Sequence, residues 1–366
     1  MERCASTPPS SRTESPSPGP PLIALEHSLA RHGWPLSGHR LEPLADTGLA
    51  HWHVRLAGGS DKGGWLARLP KQSQMGLDAA SNLAYQVACF DRAQASGHTP
   101  RLDDWLPCDD LLPRGALVVE AIDGRPASLP SDLPALTSAL ASLHRLPLPD
   151  QRAPLASPVD PWREMLDEIA TQARFLPRAG LSRTSTALIE QALAQLPERL
   201  RIADDEIRLI SFDAHPGNFL ITPHGCAVLV DLEKCRYSLP GFDLAHLSLY
   251  TSTTWDLNSR AVLFVEDLVA LYRRWQELMA EDGHHSDWST LITCRRAMWL
   301  WSLTWCAKWR AQQRRQVDRQ HSGEDWSAQL SDQALITHVA DRVDHYLSAP
   351  IIRRVADELE ELARAG

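Results

Sequence analysis

Residues 211–243 read SFDAHPGNFLITPHGCAVLVDLEKCRYSLPGFD. Asn218–Thr222 and Cys226–Asp231 are both apolar and β-prone, and Pro223-His224-Gly225 lies between them, so the stretch predicts a hairpin. A two-residue loop at His224-Gly225 would set Asn218 directly opposite Asp231, at the roughly 4.5–5.5 Å spacing of cross-strand neighbours. An amide oxygen and a carboxylate at that spacing suit one hard divalent cation such as magnesium. A slip of one residue would send the two side chains to opposite faces. Asp213 lies five residues before Asn218, across a Pro216-Gly217 turn that can fold it back beside the cation. A cation pair with a separate carboxylate is the equipment of phosphoryl transfer. The metal offsets charge on a nucleotide while the carboxylate orients a hydroxyl and takes its proton.

Upstream, strand-like segments at His39–Leu44, His51–Leu56 and Gly64–Leu69 are separated by Asp46-Thr47-Gly48 and Gly58-Gly59-Ser60. A short amphipathic helix over 22–33 precedes them, and a helix from about Leu77 to Ala95 follows. Ala116–Ile122 is a short apolar run that predicts a buried strand. Beyond Asp123-Gly124 the periodicity turns helical: Leu133, Leu136, Leu140 and Leu143 share one face, and further helices are predicted near 160–175, 183–200, 258–280, 289–315 and 332–364. The expected fold class is α+β and bilobal. Residues 1–21 form a disordered tail rich in Pro, Ser and Thr, residues 22–122 a β-rich N-lobe of five strands with a helix, and residues 123–366 a mostly helical C-lobe.

The block at 211–243 resembles the active-site signature of the aminoglycoside phosphotransferases and choline kinases. Asp213-x-His215-x-x-Asn218, a strand ending in Asp231-Leu-Glu233, and Gly241-Phe-Asp243 match that signature in order and spacing. The resemblance implies a protein-kinase-like bilobal fold, ATP as co-substrate, Mg2+ held by Asn218 and Asp231, and Asp213 as the catalytic base. It extends to residues 64–70, where Arg68 takes the position of the cation that contacts nucleotide phosphates. Gln86 falls nearest the helix position where the family usually carries a glutamate partner. Residues 118–124 resemble the adenine-binding hinge, which assigns Glu120 and Ile122 to the nucleotide. Ala45–His51, with the single glycine Gly48, stands where the phosphate-covering loop is expected. The usual His-Gly before the base is Ser211-Phe212 here.

Several residues admit two readings. Asp243 is a helix N-cap or a support of the catalytic loop. Glu233 reaches the metal site or faces solvent, and His215 stabilises the loop by hydrogen bonding or takes part in proton transfer. His144 reads as a packing histidine. Trp301, Trp305 and Trp309 form either a core stripe or an aromatic wall for a cationic or ring-bearing substrate, with Trp255 a second candidate for substrate contact.

Bulk composition narrows the partners. The chain has 366 residues, 43% hydrophobic and 23% charged, with a formal net charge of −9. That balance argues against a nucleic-acid binder and an anionic membrane surface, and suits an amine-bearing small molecule. The seven cysteines are scattered with no CxxC pair, which points to a reducing compartment. No secretory h-region or membrane-length apolar run is evident, so the expected location is cytoplasmic. The expected function is phosphorylation of a small-molecule hydroxyl: an amino sugar, choline or ethanolamine, or another metabolite alcohol. A non-catalytic nucleotide-binding member of the fold is the alternative. A protein kinase is disfavoured, because no APE-type segment follows Asp231 and Asp243 comes too soon for a long activation loop.

Overall fold

The computed structural model describes residues 19–35, 39–45, 50–58, 64–203, 206–256, 259–314 and 333–365. The tail over residues 1–18, the turns at 46–48 and 59–60, and Gly48 with most of its loop lie outside the described residues.

Helix α1 (Leu22–Arg31) lies on a five-stranded antiparallel sheet of β1 (His39–Pro43), β2 (His51–Gly58) and β3 (Trp65–Pro70), then β5 (Ala116–Glu120) and β4 (Leu102–Leu106). Leu25 and Leu29 of α1 are fully buried against Val54, Leu56, Ala67 and Val118. Burial of that kind contributes roughly 1.5–3 kcal/mol per side chain. Between β3 and β4 runs α2 (Ala79–Ala93), whose start is set by the Asp78 carboxylate accepting the Ser81 N–H at 3.0 Å. Strand β4 was not located in the sequence. Its Asp103-Asp104 pair breaks the apolar signal and it carries a register shift between Leu102 and Asp104.

The rest is mostly helical. The short β6 (Arg125–Pro126) leads to α3 (Leu133–His144), α4 (Pro161–Ala173) and α5 (Arg183–Ala194). Four small strands follow: β7 (Arg208–Ile210), β8 (Phe219–Ile221), β9 (Ala227–Leu229) and β10 (Arg236–Ser238). Strand β8 sits between β6 and β9, while β10 pairs with β7. Then come α6 (Pro240–Ser248), α7 (Tyr250–Thr253), α8 (Val265–Ala280), α9 (Trp288–Arg314), α10 (Gln333–Tyr346) and α11 (Ala349–Arg364). One core joins α2, α3, α6 and α8 to the small strands, and a second lies among α4, α5, α9, α10 and α11.

Three helical expectations are corrected, and two helices were not expected at all. The helix expected over 258–280 begins only at Val265, where the Asp267 carboxylate accepts the Phe264 N–H at 2.9 Å. The one expected over 332–364 is two helices, because Pro350 can open a helix but cannot continue one. The one expected to reach residue 200 stops at Ala194, three residues before Pro197. Helices α6 and α7 were not expected from the sequence: nearly every residue of both is buried, polar ones included, so neither shows the one-sided apolar pattern of a surface helix.

The hairpin register is also corrected. Phe219 pairs with Leu229, Leu220 with Val228 and Ile221 with Ala227, so Asn218 stands opposite Val230, not Asp231. The loop holds three residues instead of two: Thr222 N donates to Cys226 O and Gly225 N to Thr222 O, both at 2.9 Å. Gly225 takes φ +81°, the left-handed conformation that closes a three-residue hairpin loop with a bulge.

Candidate active site

A cavity of about 370 Å³ opens between the N-terminal sheet and the helical part, and Arg68, Asp213, Asn218 and Asp231 all line it. The one-residue change of register does not separate Asn218 from Asp231. Asn218 closes a 3-10 turn over Pro216–Asn218 and Asp231 lies past the end of β9, so neither obeys the alternation of paired strands. The turn is compact because position 217 is glycine. A Cβ there would come within 3.0 Å of both Asp256 Cβ and His215 Cε1. Asn218 Nδ2 donates to Asp213 O at 2.8 Å, which ties the turn to the loop that carries Asp213.

That loop hangs on Asp243, which is fully buried. Its Oδ2 accepts the Ser211 N–H at 2.7 Å and its Oδ1 accepts the Phe212 N–H at 2.7 Å. His144 Nε2 lies 3.1 Å from Oδ2, and Trp275 Nε1 donates to His144 Nδ1 at 3.0 Å. The indole can only donate, so His144 Nδ1 accepts and Nε2 carries the proton toward Asp243. Asp243 thus braces the loop and is not an N-cap, while His144 is a packing histidine with a definite tautomer. Phe212 adopts φ +58°. A glycine fits this conformation freely, whereas a bulky residue is strained there. The ring is held by Arg236, whose guanidinium carbon lies 3.7 Å from its centroid, and by edge contacts with Trp301 and Phe242.

Electrostatics around the three acidic groups differ sharply. Burial opposes ionisation of Asp213, but Lys234, His215 and His246 hold its carboxyl below the usual range. Lys234 Nζ is 3.0 Å from Asp213 Oδ2, and His246 Nδ1 is 3.7 Å from Oδ1. Burial likewise opposes the charge of Asp231, yet Arg68 pulls its carboxyl well below the ordinary value. Arg68 Nη2 donates to Asp231 Oδ1 at 2.7 Å and Nη1 to Val230 O at 2.9 Å. Glu233 is buried beside that pair, and burial, then the Asp231 charge, push its carboxyl up to about 8. Glu233 therefore does not face solvent. Ligand atoms of His51, Asp231 and Glu233 lie within 4.8 Å of one another. Burial, then Arg68, push His51 and His53 down to about 3, so both are neutral.

Gln86 does not pair with Arg68. Its Oε1 lies 3.0 Å from His51 Nε2, and Asp231 takes the place of the absent helix glutamate as the partner of Arg68. Glu120 ends β5 and Ile122 lies two residues past it, and neither is among the residues that line the cavity. Glu120 N donates to Arg101 O at 2.9 Å and its carboxylate pairs with Arg101 Nε at 3.2 Å. The tryptophan stripe splits. Trp301 and Trp305 are half-buried in the cavity wall with Trp255, while Trp309 is buried in the core. Trp301 Nε1 donates to Glu168 Oε2 at 2.8 Å, and Trp255 stacks on Tyr346 with centroids 6.4 Å apart. Lys234 and Arg236, together with His246 three residues past Asp243, were missed as site residues. Their only signal was their place inside or just beyond the block that already carried Asp213, Asn218 and Asp231.

The six cysteines among the described residues are free thiols. Among these residues no helix is long and apolar enough to cross a membrane.

Residues 49–278 match the model of the phosphotransferase enzyme family. Among curated protein sequences none matches the chain. Solved structures do. One is a Ralstonia eutropha protein described as an aminoglycoside phosphotransferase, with TM-score 0.61, 12% identity, and 88% of this chain and 98% of that chain covered. Another is a Plasmodium vivax ethanolamine kinase, with TM-score 0.54, 13% identity, and 91% and 89% covered. A spectinomycin phosphotransferase bound to ADP and spectinomycin has TM-score 0.54, 12% identity, and 88% and 93% covered. At these identities the likeness is one of fold.

Proposed function

The chain belongs to the phosphotransferase enzyme family, and from that premise we propose that it transfers the γ-phosphoryl group of ATP to a hydroxyl of a small molecule. The observation that carries this reading is the meeting of Asp213, Asn218, Asp231 and Arg68 around one cavity. On this reading residues 22–122 serve the nucleotide, with Gly48 in the covering loop and Glu120 and Ile122 at the adenine. Residues 123–366 hold the catalytic loop and the acceptor.

Asn218 and Asp231 fit a magnesium ion, since both offer oxygen. The Asn218 amide spends its nitrogen on Asp213 O, which leaves its oxygen for a cation. Such an ion would neutralise charge on the phosphates when bound. Every other task falls to this chain's side chains. Asp213 is ionised, accepts the proton of the acceptor hydroxyl and holds its oxygen in line with phosphorus. Asp243 fixes the loop that presents Asp213. Arg68 is the phosphate cation of the nucleotide side. The indoles of Trp255, Trp301 and Trp305 wall the cavity on the other side and receive the acceptor's body. The substrates of two of those structural neighbours, spectinomycin and ethanolamine, make an amine-bearing alcohol the first class to try.

The test is a screen of ATP consumption against amino sugars, amino alcohols and other metabolite alcohols, run on the wild type and on Asp213→Asn. Acceptor-dependent turnover should fall by roughly 10²–10⁴ in the variant. A wild type that binds ATP yet phosphorylates nothing across the screen would hand the reading to a non-catalytic nucleotide-binding role.

A further inference from the structure

Lys234 lies three residues past Asp231, where Cys235 N donates to Leu232 O at 3.0 Å and closes a tight turn. Leu232 and Cys235 are fully buried, and Cys235 O accepts the Tyr85 hydroxyl at 2.8 Å. The backbone on either side of Lys234 is therefore pinned in the core, and its side chain lines the cavity with Nζ 3.0 Å from Asp213 Oδ2.

The other two strong cations of the cavity pair with protein groups other than Asp213. Arg68 is held by Asp231 and Val230 O. Arg236 is held by the face of Phe212 and by Glu168 at 2.9 Å. A base must sit within about 2.6–3.2 Å of the hydroxyl oxygen it deprotonates. That oxygen must in turn approach phosphorus to about 3–3.5 Å. An ammonium already touching the base stands beside the phosphoryl group as it moves, and its three donors let it serve both Asp213 and a phosphoryl oxygen.

We infer that Lys234 is a catalytic residue whose ammonium contacts the transferred phosphoryl group while it holds Asp213, an inference that rests on the phosphotransferase reading. In the step the acceptor oxygen forms a bond to the γ-phosphorus, and the bond from that phosphorus to the β,γ-bridging oxygen breaks. ADP leaves with that electron pair, and the hydroxyl proton passes to Asp213. Lys234 stays protonated and stabilises the charge spread over the phosphoryl oxygens.

The experiment compares ATP with ADP as ligands, with magnesium present and no acceptor, for wild type, Lys234→Met, Lys234→Gln and Lys234→Arg. Loss of a charged contact to the γ-phosphoryl should weaken ATP roughly tenfold to a hundredfold in the Met and Gln variants and leave ADP within twofold. Lys234→Arg should keep most of the ATP preference. Equal weakening of ATP and ADP, or no change in either, overturns the inference and leaves Lys234 a partner of Asp213 alone. A wild type that binds neither nucleotide overturns the phosphotransferase reading instead. Two neutral variants are used so that a misfolded one, identified by thermal unfolding, leaves the other to decide.

Discussion

Replacing Asp243 by Asn tests how the loop that carries Asp213 is held. Three donors converge on this buried carboxylate: Ser211 N and His144 Nε2 on Oδ2, Phe212 N on Oδ1. An Asn side chain can turn its oxygen toward only one of those positions. Facing Ser211 and His144, its one oxygen keeps both of those hydrogen bonds, but its own NH2 points at the Phe212 N–H. The flipped amide orphans two donors, so the first orientation is preferred. An orphaned buried N–H costs about 1–3 kcal/mol. The two surviving bonds drop from charged to neutral acceptors, about 1 kcal/mol each. The expected destabilisation is therefore about 3–5 kcal/mol, a large share of the roughly 5–15 kcal/mol that holds an ordinary domain together. Volume hardly changes, so no cavity contributes. Urea unfolding at constant pH should show a lower midpoint with an unchanged m-value. The orphaned amide belongs to Phe212, whose φ of +58° is already strained and whose neighbour is Asp213. Activity should therefore fall more than the folded fraction does. A destabilisation under 1 kcal/mol would refute this account of the brace.

Asp231→Ala should weaken ATP binding with magnesium far more than without it in parallel titrations, and equal weakening would sink the metal-ligand assignment. Trp255→Ala should raise the acceptor KM and leave ATP binding intact; a loss of stability alone, of a few kcal/mol, would return Trp255 to the core. Glu233 sets a pH slope: its carboxyl loses the proton near 4.5 when unfolded but keeps it to about 8 when folded. Its favourable contribution is thus complete below pH 4.5 and declines toward pH 8 by up to about 1.4 kcal/mol per pH unit. Glu233→Gln should lack that decline, and urea midpoints of the two proteins that run parallel from pH 5 to 9 would contradict it.

Much of this protein was legible in one line of residues. The order Asp213, Asn218, Asp231, Asp243 is local, with each residue's type dictated by its own chemistry, and the α+β class followed from periodicities of two and 3.6 that need no partner to be seen. Strands β1, β2, β3 and β5 and helix α2 were readable for the same reason. What needed the folded chain was every feature set by two distant segments. Only packing against α9 and the small strands buries α6 on all sides and erases the polar face by which a helix is recognised. The hairpin register turned on one residue of loop length, which composition does not encode. Arg68 finds Asp231 across 163 positions, and Trp275 fixes His144 across 131. Asp243 reaches back 31 residues to hold Phe212. Pairings of that kind leave no local mark, because the energy that selects them is that of satisfying buried charges and donors, and it exists only once the surrounding core has excluded water.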